Sequence, residues 1–245
     1  MNPTIHPANG DGRSLFETEA VAGLAEDRSS HRTGAEHKSG IAAGLLRLYL
    51  IRHGETEWSL SEQHTGRTDI PLTAHGEESA RALSPWLGDI HFARVLTSPR
   101  QRARQTCELA GLGSAAEIEA DLSEWDYGDY EGRRSADIRK VRADWNVFRD
   151  GCPHGETPAQ VSDRADRIMA SLRTTRGNVA LFSHGQFGSA LAARWIELPV
   201  VDGQHFALGP ASLSILAHSA HHTAVRVIEL WNAAVGQPPA ARLGR

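Results

Sequence analysis

The chain has 245 residues, of which 40% are hydrophobic and 23% are charged, and its formal net charge is −4. These values describe an ordinary globular protein with one substantial core and one or two domains. They give no reason to expect nucleic acid or an anionic membrane surface as a partner, and no stretch approaches the roughly 20 apolar residues of a membrane-spanning helix.

The first 46 residues are polar, show no sustained periodicity and lack the basic start, apolar middle and cleavage site of a secretory signal. They predict a disordered polar tail, and a start codon assigned too far upstream would give the same pattern. Cys107 and Cys152 are far apart and have no partner motif, which predicts two free thiols in a cytoplasmic protein.

Strand-like and helix-like segments alternate from Arg47 onward. Thr73 is a good helix N-cap, Pro99 suits the first turn of a helix, and short apolar runs predict buried strands. In chain order the predicted elements are a strand at 47–52, a helix from Thr73 to Leu87, a strand at 93–97, a helix from Pro99 to Leu109, a loop at 120–132, a basic helical insertion at 133–150, a helix from Thr157 to Leu172, a strand at 178–183, a helix at 187–195 and a hairpin of 212–218 and 224–231. This alternation predicts an α/β fold, a three-layer α/β/α domain over 47–235 with a mostly parallel sheet and helices on both faces, followed by a loose tail at 236–245.

Two of the predicted strands end in a histidine followed by a glycine, at His53 and His184. Ligands of open α/β sheets bind at the carboxyl ends of strands, so both imidazoles are expected in one crevice. A neutral imidazole is nucleophilic near neutral pH, and arginine carries a planar fork that matches phosphate. The pattern predicts covalent phosphoryl transfer with His53 as the nucleophile, Arg52 and Arg102 as clamps, and His184 as a further donor.

The leaving alkoxide of a phosphomonoester needs a proton, so an acid is also expected. The segment 122–132 offers four carboxyl groups. Glu124 is the preferred acid, because the negative charge of a bound phosphate disfavours its ionised form. Asp126 is the alternative. The same carboxylate then accepts a proton from the water that hydrolyses the phosphohistidine.

Five segments of the chain resemble the histidine phosphatase superfamily, with its phosphoglycerate-mutase-like fold, over residues 47 to 232. In the family's order they are RHGETEW at 52–58, TGRTDIPLT at 65–73, SPRQRA at 98–103, EWDYGDYEG at 124–132 and SHG at 183–185. The resemblance implies that no metal or diffusible cofactor takes part. It also implies that His53 is phosphorylated, that Glu124 is the acid, and that the phosphate is surrounded by Arg52, Arg102 and His184.

The resemblance also implies a set of substrate-binding positions, with one departure from the family's pattern. The family usually places asparagine after the Glu-Trp pair, where this chain has Ser59. A serine hydroxyl has a shorter reach but still donates one hydrogen bond. The candidate substrate-binding residues are therefore Ser59, Thr65, Gly66 and Gly185.

Within the superfamily the chain resembles the branch of sedoheptulose-1,7-bisphosphatase and acid-phosphatase-like members. Phosphoglycerate mutases carry a longer basic insertion after the acid segment, and they follow the second His-Gly with Asn-Ser where this chain has Gln186-Phe187. A mutase must exclude water, whereas a shorter cap admits it and favours hydrolysis. The expected function is a cytoplasmic phosphatase of small phosphorylated metabolites, with sugar phosphates or bisphosphates favoured and the oligomeric state left open.

Three alternatives remain at this stage. In the first alternative, the protein is a phosphoglycerate mutase. In the second, it is a catalytically silent module that binds phosphate or another protein. The third concerns the basic residues of 133–149, which are expected on a solvated helix face but include one or two candidates for holding a second phosphate.

Overall fold

The structure, a computed structural model, describes residues 44–234. The predicted polar tail, except for 44–46, and the predicted loose tail at 236–245 lie outside the described residues. Within the described range, every helix is too short or too polar to span a lipid bilayer.

A six-stranded sheet in the order β3-β2-β4-β1-β5-β6 forms the centre of the described residues. Its strands are β1 Arg47–Arg52, β2 Phe92–Thr97, β3 Ala116–Ile118, β4 Asn178–Ser183, β5 Ser212–His218 and β6 Arg226–Ala234. The pairs β3-β2, β2-β4 and β4-β1 are parallel, whereas the pairs β1-β5 and β5-β6 are antiparallel. The predicted α/β fold with a mostly parallel sheet is confirmed.

In the sequence the helices alternate with the strands, and in space they flank the sheet. They are α1 Glu57–Leu60, α2 Ala74–Arg81, α3 Ser84–Leu87, α4 Gln101–Leu109, α5 Ser135–Arg139, α6 Val147–Asp150, α7 Pro158–Ser171 and α8 Gly185–Trp195. Short 3-10 turns occupy Gly113–Ala115, Ala120–Leu122, Gly128–Tyr130 and Val200–His205. Thr157 caps α7, because its side chain accepts from the Gln160 N–H while the Gln160 side chain accepts from the Thr157 N–H.

Successive side chains of the central strands pack on opposite faces of the sheet. Leu48 and Leu50 of β1 belong to one buried cluster, which includes residues of α7 and α8, while Tyr49 and Ile51 belong to a second cluster with residues of α3 and α4. Covering both faces explains why β1 reads as a continuous apolar run rather than an alternating one. Each fully buried aliphatic side chain contributes about 1.5–3 kcal/mol.

Strands β1 and β4 are neighbours in parallel register, from Arg47 opposite Asn178 to Arg52 opposite Ser183. Both strands therefore end at the same edge of the sheet. The residues that follow them, His53 and His184, therefore lie at this edge together, as the sequence predicts from two strands that each end at a histidine and a glycine.

Two helical predictions differ from the structure. The helix predicted from Thr73 to Leu87 divides into α2 and α3. In one continuous helix Pro85 would leave a carbonyl without its N–H donor, and its ring would clash with the carbonyl four residues earlier. The insertion predicted as helical over 133–150 forms the short helices α5 and α6. The second begins where the Asn146 side chain accepts from the Phe148 N–H.

Both cysteines are free thiols buried in the core. Cys107 packs in the cluster that contains α4, and Cys152 packs in the cluster that contains α7. Burial raises the pKa of each thiol to about 12. Neither sulfur is a nucleophile at neutral pH, since the thiolate is the reactive form.

Candidate active site

His53 follows the last residue of β1, and neighbouring segments fix its main chain. Its N–H donates to the Ser183 carbonyl at 3.0 Å, and its carbonyl accepts from the Ala211 N–H at 3.0 Å. The ring Nδ1 lies 2.7 Å from the Gly54 carbonyl oxygen. In the neutral ring this contact keeps the proton on Nδ1, so Nε2 carries the free lone pair.

Gly54 holds the turn after His53 between two helices. Its N–H donates to Thr106 Oγ1 of α4 at 2.9 Å. A Cβ at this position would lie 2.5 Å from the carbonyl oxygen of Gly76 in the first turn of α2, closer than real Cβ contacts. Glycine is therefore required here, because only a bare backbone lets α2 pack directly against the residue beside His53.

His184 lies behind His53 and is fully buried. The centroids of the two imidazole rings are 5.2 Å apart. His184 Nε2 forms a 2.7 Å hydrogen bond with Ser98 Oγ, at the turn between β2 and α4. The two strand-end histidines thus meet in one cluster.

Arg52 and Arg102 supply positive charge to this cluster. Arg52 Nη1 donates to the Leu208 carbonyl. Arg102 is fully buried, and its Nη atoms donate at 2.8–3.2 Å to the carbonyls of Thr65, Gly66 and Thr68. These contacts fix both guanidinium groups while they use only part of their donor capacity.

Three buried nitrogens of this cluster have no hydrogen-bond partner among the described residues. They are Arg52 Nε, Arg102 Nε and His184 Nδ1. Leaving a buried polar atom unpaired costs about 1–3 kcal/mol. A group of such atoms around His53 is suited to an anionic ligand with several acceptor oxygens.

The pKa values of the cluster follow from burial and from its arginines. Burial, followed by the charges of Arg102 and Arg52, holds the pKa of His53 well below its ordinary value of 6.5. Burial and Arg102 lower the pKa of His184 in the same way. Burial also lowers the pKa of Arg102 to about 10, which leaves it charged at neutral pH. Two neutral imidazoles therefore lie beside two cations.

Glu124 is held at the start of α8 by main-chain N–H groups. Its Oε1 accepts from the Trp125 and Phe187 N–H groups, both at 2.8 Å. Among the described residues, its Oε2 accepts only from the Gln186 N–H, at 3.0 Å. These donors orient the carboxyl group and leave Oε2 with fewer partners than Oε1.

The segment before Glu124 is anchored by Arg164 of α7. Arg164 Nη1 donates to the carbonyls of Asp121 and Ser123 at 2.7 and 2.8 Å. Its Nε and Nη2 each bind one carboxylate oxygen of Glu156 at 2.7 Å. A largely buried bidentate ion pair therefore supports the main chain that carries the candidate acid.

The site opens into a cavity of about 470 Å³, within the range of small-molecule sites. We call the part lined by Arg52, His53, Glu124 and Gly185 its inner end. We call the part lined by His64, Ser135, Arg139, Trp145 and Asn146 its outer end. Within residues 44–234, no group of three His, Cys, Asp or Glu side chains is placed to hold a metal ion.

Three of the predicted substrate-binding residues, Ser59, Thr65 and Gly185, line this cavity. The Ser59 hydroxyl is engaged in capping α1, where it donates to the Thr56 carbonyl at 2.9 Å and accepts from the Thr56 N–H at 2.8 Å. A Cβ on Gly185 would lie 3.3 Å from Arg52 Cζ. Glycine at this position lets the guanidinium lie against the start of α8.

The structure does not bring Gly66 or Asp126 to the cavity wall. The Gly66 N–H donates to both carboxylate oxygens of Glu131, at 3.0 and 3.1 Å. Asp126 Oδ2 pairs at 2.6 Å with the exposed Arg67. Of the two acids that the sequence offers, Glu124 shares the cavity with His53.

Sequence reasoning missed three side chains that hold the site, namely Ser98, Thr106 and Arg164. Arg164 had a recognisable signal, because it lies between Val161 and Ala165 on the inward stripe of α7, where a buried arginine needs partners. Ser98 opens the matched segment at 98–103 but is given no role there, and Thr106 shows no pattern in the sequence. Their partners come from distant parts of the chain.

The domain has a mostly parallel sheet between two layers of helices, and two histidines at strand ends lie beside arginines. This is the arrangement of a phosphoric monoester hydrolase. The chain belongs to the histidine phosphatase superfamily, since the family model of branch 1 matches residues 48–232.

Individual relatives agree with this assignment. The chain is similar to an acid phosphatase of Mycobacterium tuberculosis, with 44% identity over 173 residues, which are 69% of this chain and 85% of the relative. It is 37% identical over 186 residues to the sedoheptulose 1,7-bisphosphatase of Saccharomyces cerevisiae, covering 63% of this chain and 69% of that protein. Among solved structures, the product of a Mycobacterium tuberculosis open reading frame superposes with a TM-score of 0.73 at 39% identity, covering 77% of this chain and 98% of that one.

Proposed function

We propose that this phosphatase hydrolyses phosphomonoesters of small metabolites, sugar phosphates or bisphosphates first among them, through a phosphohistidine on His53. One observation carries the proposal. His53 lies at the inner end of the cavity with Nδ1 bonded to the Gly54 carbonyl, and unpartnered nitrogens of Arg52, Arg102 and His184 belong to the same cluster.

In the first step His53 Nε2 attacks phosphorus as the bond to the ester oxygen breaks. The neutral imidazole supplies the electron pair, and the leaving oxygen takes the proton carried by Glu124 Oε2. Arg52 and Arg102 neutralise charge on the equatorial oxygens, where protein groups contribute most to phosphoryl transfer. The products of this step are the free alcohol and phospho-His53.

In the second step water attacks the phosphorus of phospho-His53. Glu124, now a carboxylate, accepts a proton from the water, and the P–N bond breaks to return its electron pair to Nε2. Inorganic phosphate leaves, and the proton on Glu124 restores the acid for the next cycle. Each group is therefore regenerated, and water is the only co-reactant consumed.

The substrate class draws on the relatives and on the cavity. The printed names of two similar proteins are acid phosphatase and sedoheptulose 1,7-bisphosphatase. The cavity volume of about 470 Å³ leaves room for an organic group beyond the phosphate itself. Trp58 on its wall is partly exposed and offers aromatic surface to the carbon skeleton of a sugar.

The test is phosphate release by the purified protein, without added metal, from a panel of sugar phosphates, sugar bisphosphates and phosphoglycerates. We expect release from at least one sugar phosphate or bisphosphate, and transfer of radiolabelled phosphate to the protein in an acid-labile, base-stable form. Primer-dependent interconversion of phosphoglycerates without net release would identify a mutase instead. Phosphate binding with no turnover of any substrate would identify a silent module.

A further inference from the structure

The six basic residues between 133 and 149 differ in what they contact. Arg134 and Lys140 both pair with Asp137, while Arg142 and Arg149 both pair with Asp150. The remaining two residues are Arg133, whose guanidinium lies 5.4 Å from the centre of the Tyr130 ring, and Arg139. Arg139 pairs with no carboxylate among the described residues, and it alone of the six lines the cavity.

The side chain of Arg139 is held by a single main-chain contact. Its Nε donates to the Trp145 carbonyl at 3.2 Å. This contact fixes the guanidinium at the outer end and leaves both Nη groups available. Two parallel N–H donors on a planar cation match the oxygens of a phosphate or a carboxylate.

Apart from Glu62, the polar groups on the cavity wall around Arg139 are neutral donors and acceptors. His64 stacks on Tyr127 at 4.4 Å and has its Nε2 3.1 Å from Ser135 Oγ. Burial, followed by the charge of Arg139, lowers the pKa of His64 to about 4, so His64 is neutral at neutral pH. The acidic residue on this part of the wall is Glu62, whose charge acts on Arg134.

The inner and outer ends carry separate positive charges along one cavity. The arginines that act on the pKa of His53 are Arg102 and Arg52, whereas Arg139 acts on His64. A monophosphate bound at His53 therefore leaves the charge of Arg139 uncompensated. A substrate with an anionic group at its far end compensates both.

We propose that Arg139 binds a second anionic group of the substrate, a phosphate or a carboxylate, while the scissile phosphate lies at His53. This inference rests on the proposed function, because both groups occupy the same cavity. It makes phosphorylated metabolites with two anionic ends the preferred substrates.

The test compares Arg139→Gln with Lys140→Gln, which removes the same charge from the neighbouring residue outside the cavity. The probes are fructose 1,6-bisphosphate against fructose 1-phosphate, and 3-phosphoglycerate against glycerol 3-phosphate, each as a substrate or as a competitor of p-nitrophenyl phosphate hydrolysis. The first pair reports on a second phosphate, and the other pair reports on a carboxylate.

We expect wild-type protein to favour the two-anion member of at least one pair. Arg139→Gln should weaken binding of this two-anion member about tenfold or more. That is the loss expected when a charged hydrogen-bonding group is removed. The kcat/KM for p-nitrophenyl phosphate should stay within about twofold of wild type in Lys140→Gln, which should also keep the two-anion preference. In Arg139→Gln the loss should be larger for the two-anion members than for the single-anion members.

Two results would overturn the proposal. One is a wild-type protein that binds the single-anion members as well as the two-anion members. The other is an Arg139→Gln variant that keeps its preference or loses all probes equally. Absence of p-nitrophenyl phosphate hydrolysis by wild-type protein would instead count against the proposed function, while direct binding of the same probes, measured by calorimetry, would still report on Arg139.

Discussion

The two ends of the cavity are built in different ways. At the inner end, His53 and Glu124 are fixed by hydrogen bonds to main-chain groups of β4, α8 and the segment before β5. At the outer end, Arg139 and Asn146 belong to or adjoin helices of four and five residues, and Arg139 is exposed. Rigid elements position reacting groups, whereas short surface elements change their side chains at little cost to the core. The comparison supports our proposal that the inner end performs the chemistry and the outer end selects the substrate.

The largest expected effect comes from removing the nucleophile at the inner end. His53→Ala should lower kcat by more than the roughly 10⁴-fold that a general acid contributes at most, because His53 is the only imidazole among the described residues that line that end. Phosphate release from the best substrate measures the loss, and the thermal unfolding midpoint checks that the fold is intact. An exposed control, His205→Ala, should keep full activity. Residual activity of His53→Ala within tenfold of wild type would refute the division of the cavity.

A smaller loss is expected from Glu124→Gln, which keeps the shape of the side chain but cannot donate the proton. Hydrolysis of an alkyl phosphate should fall by about 10²–10⁴-fold. Hydrolysis of p-nitrophenyl phosphate should fall less, since p-nitrophenolate leaves without a proton. The ratio of the two rates is the measurement.

The control for this variant is Asp126→Asn, which alters the acid that lies outside the cavity. Its rate ratio should match that of wild type. If Asp126→Asn shows the leaving-group dependence and Glu124→Gln does not, the acid has been assigned to the wrong residue.

The anchoring of the inner end predicts an effect on stability. Arg164→Gln leaves the Glu156 carboxylate unpaired in a largely buried position and should lower the free energy of unfolding by about 3–5 kcal/mol. The neighbouring Arg167→Gln breaks a more exposed pair with Asp121 and should cost far less. Urea unfolding measures both. Similar losses in the two variants would show that burial of the pair is not what stabilises this segment.

The smallest effect concerns pH and the outer end. His64 has a pKa of about 4 in the folded protein against 6.5 without burial, so the unfolded chain binds the extra proton between these values. The free energy of unfolding should therefore fall as pH drops from 6.5 to 4, with up to about 3 kcal/mol contributed by His64. His64→Gln should reduce this fall, and His205→Gln, at an exposed position, should leave it unchanged. Equal slopes of stability against pH in all three proteins would contradict the assignment.

The sequence predicts the inner end better than the outer end, for physical reasons. A buried apolar run that stops at a histidine and a glycine marks the end of a parallel strand, so the placement of His53 and His184 follows from local pattern. The edge strand β3 escapes prediction because its three residues are mostly exposed and form no apolar run. Arg139 differs from its basic neighbours because it alone lines the cavity, and the direction in which two short helices turn decides this. The number of basic residues in the sequence does not predict that direction.

The fold also determines how the protein responds to oxidants. Cys107 and Cys152 are buried, their thiol pKa values are raised to about 12, and neither lines the cavity. Peroxide and alkylating reagents attack thiolates, which these two residues scarcely form at neutral pH. Since the proposed reaction uses imidazole nitrogen and no sulfur, phosphate release should continue under oxidising conditions that inactivate a phosphatase with a cysteine nucleophile.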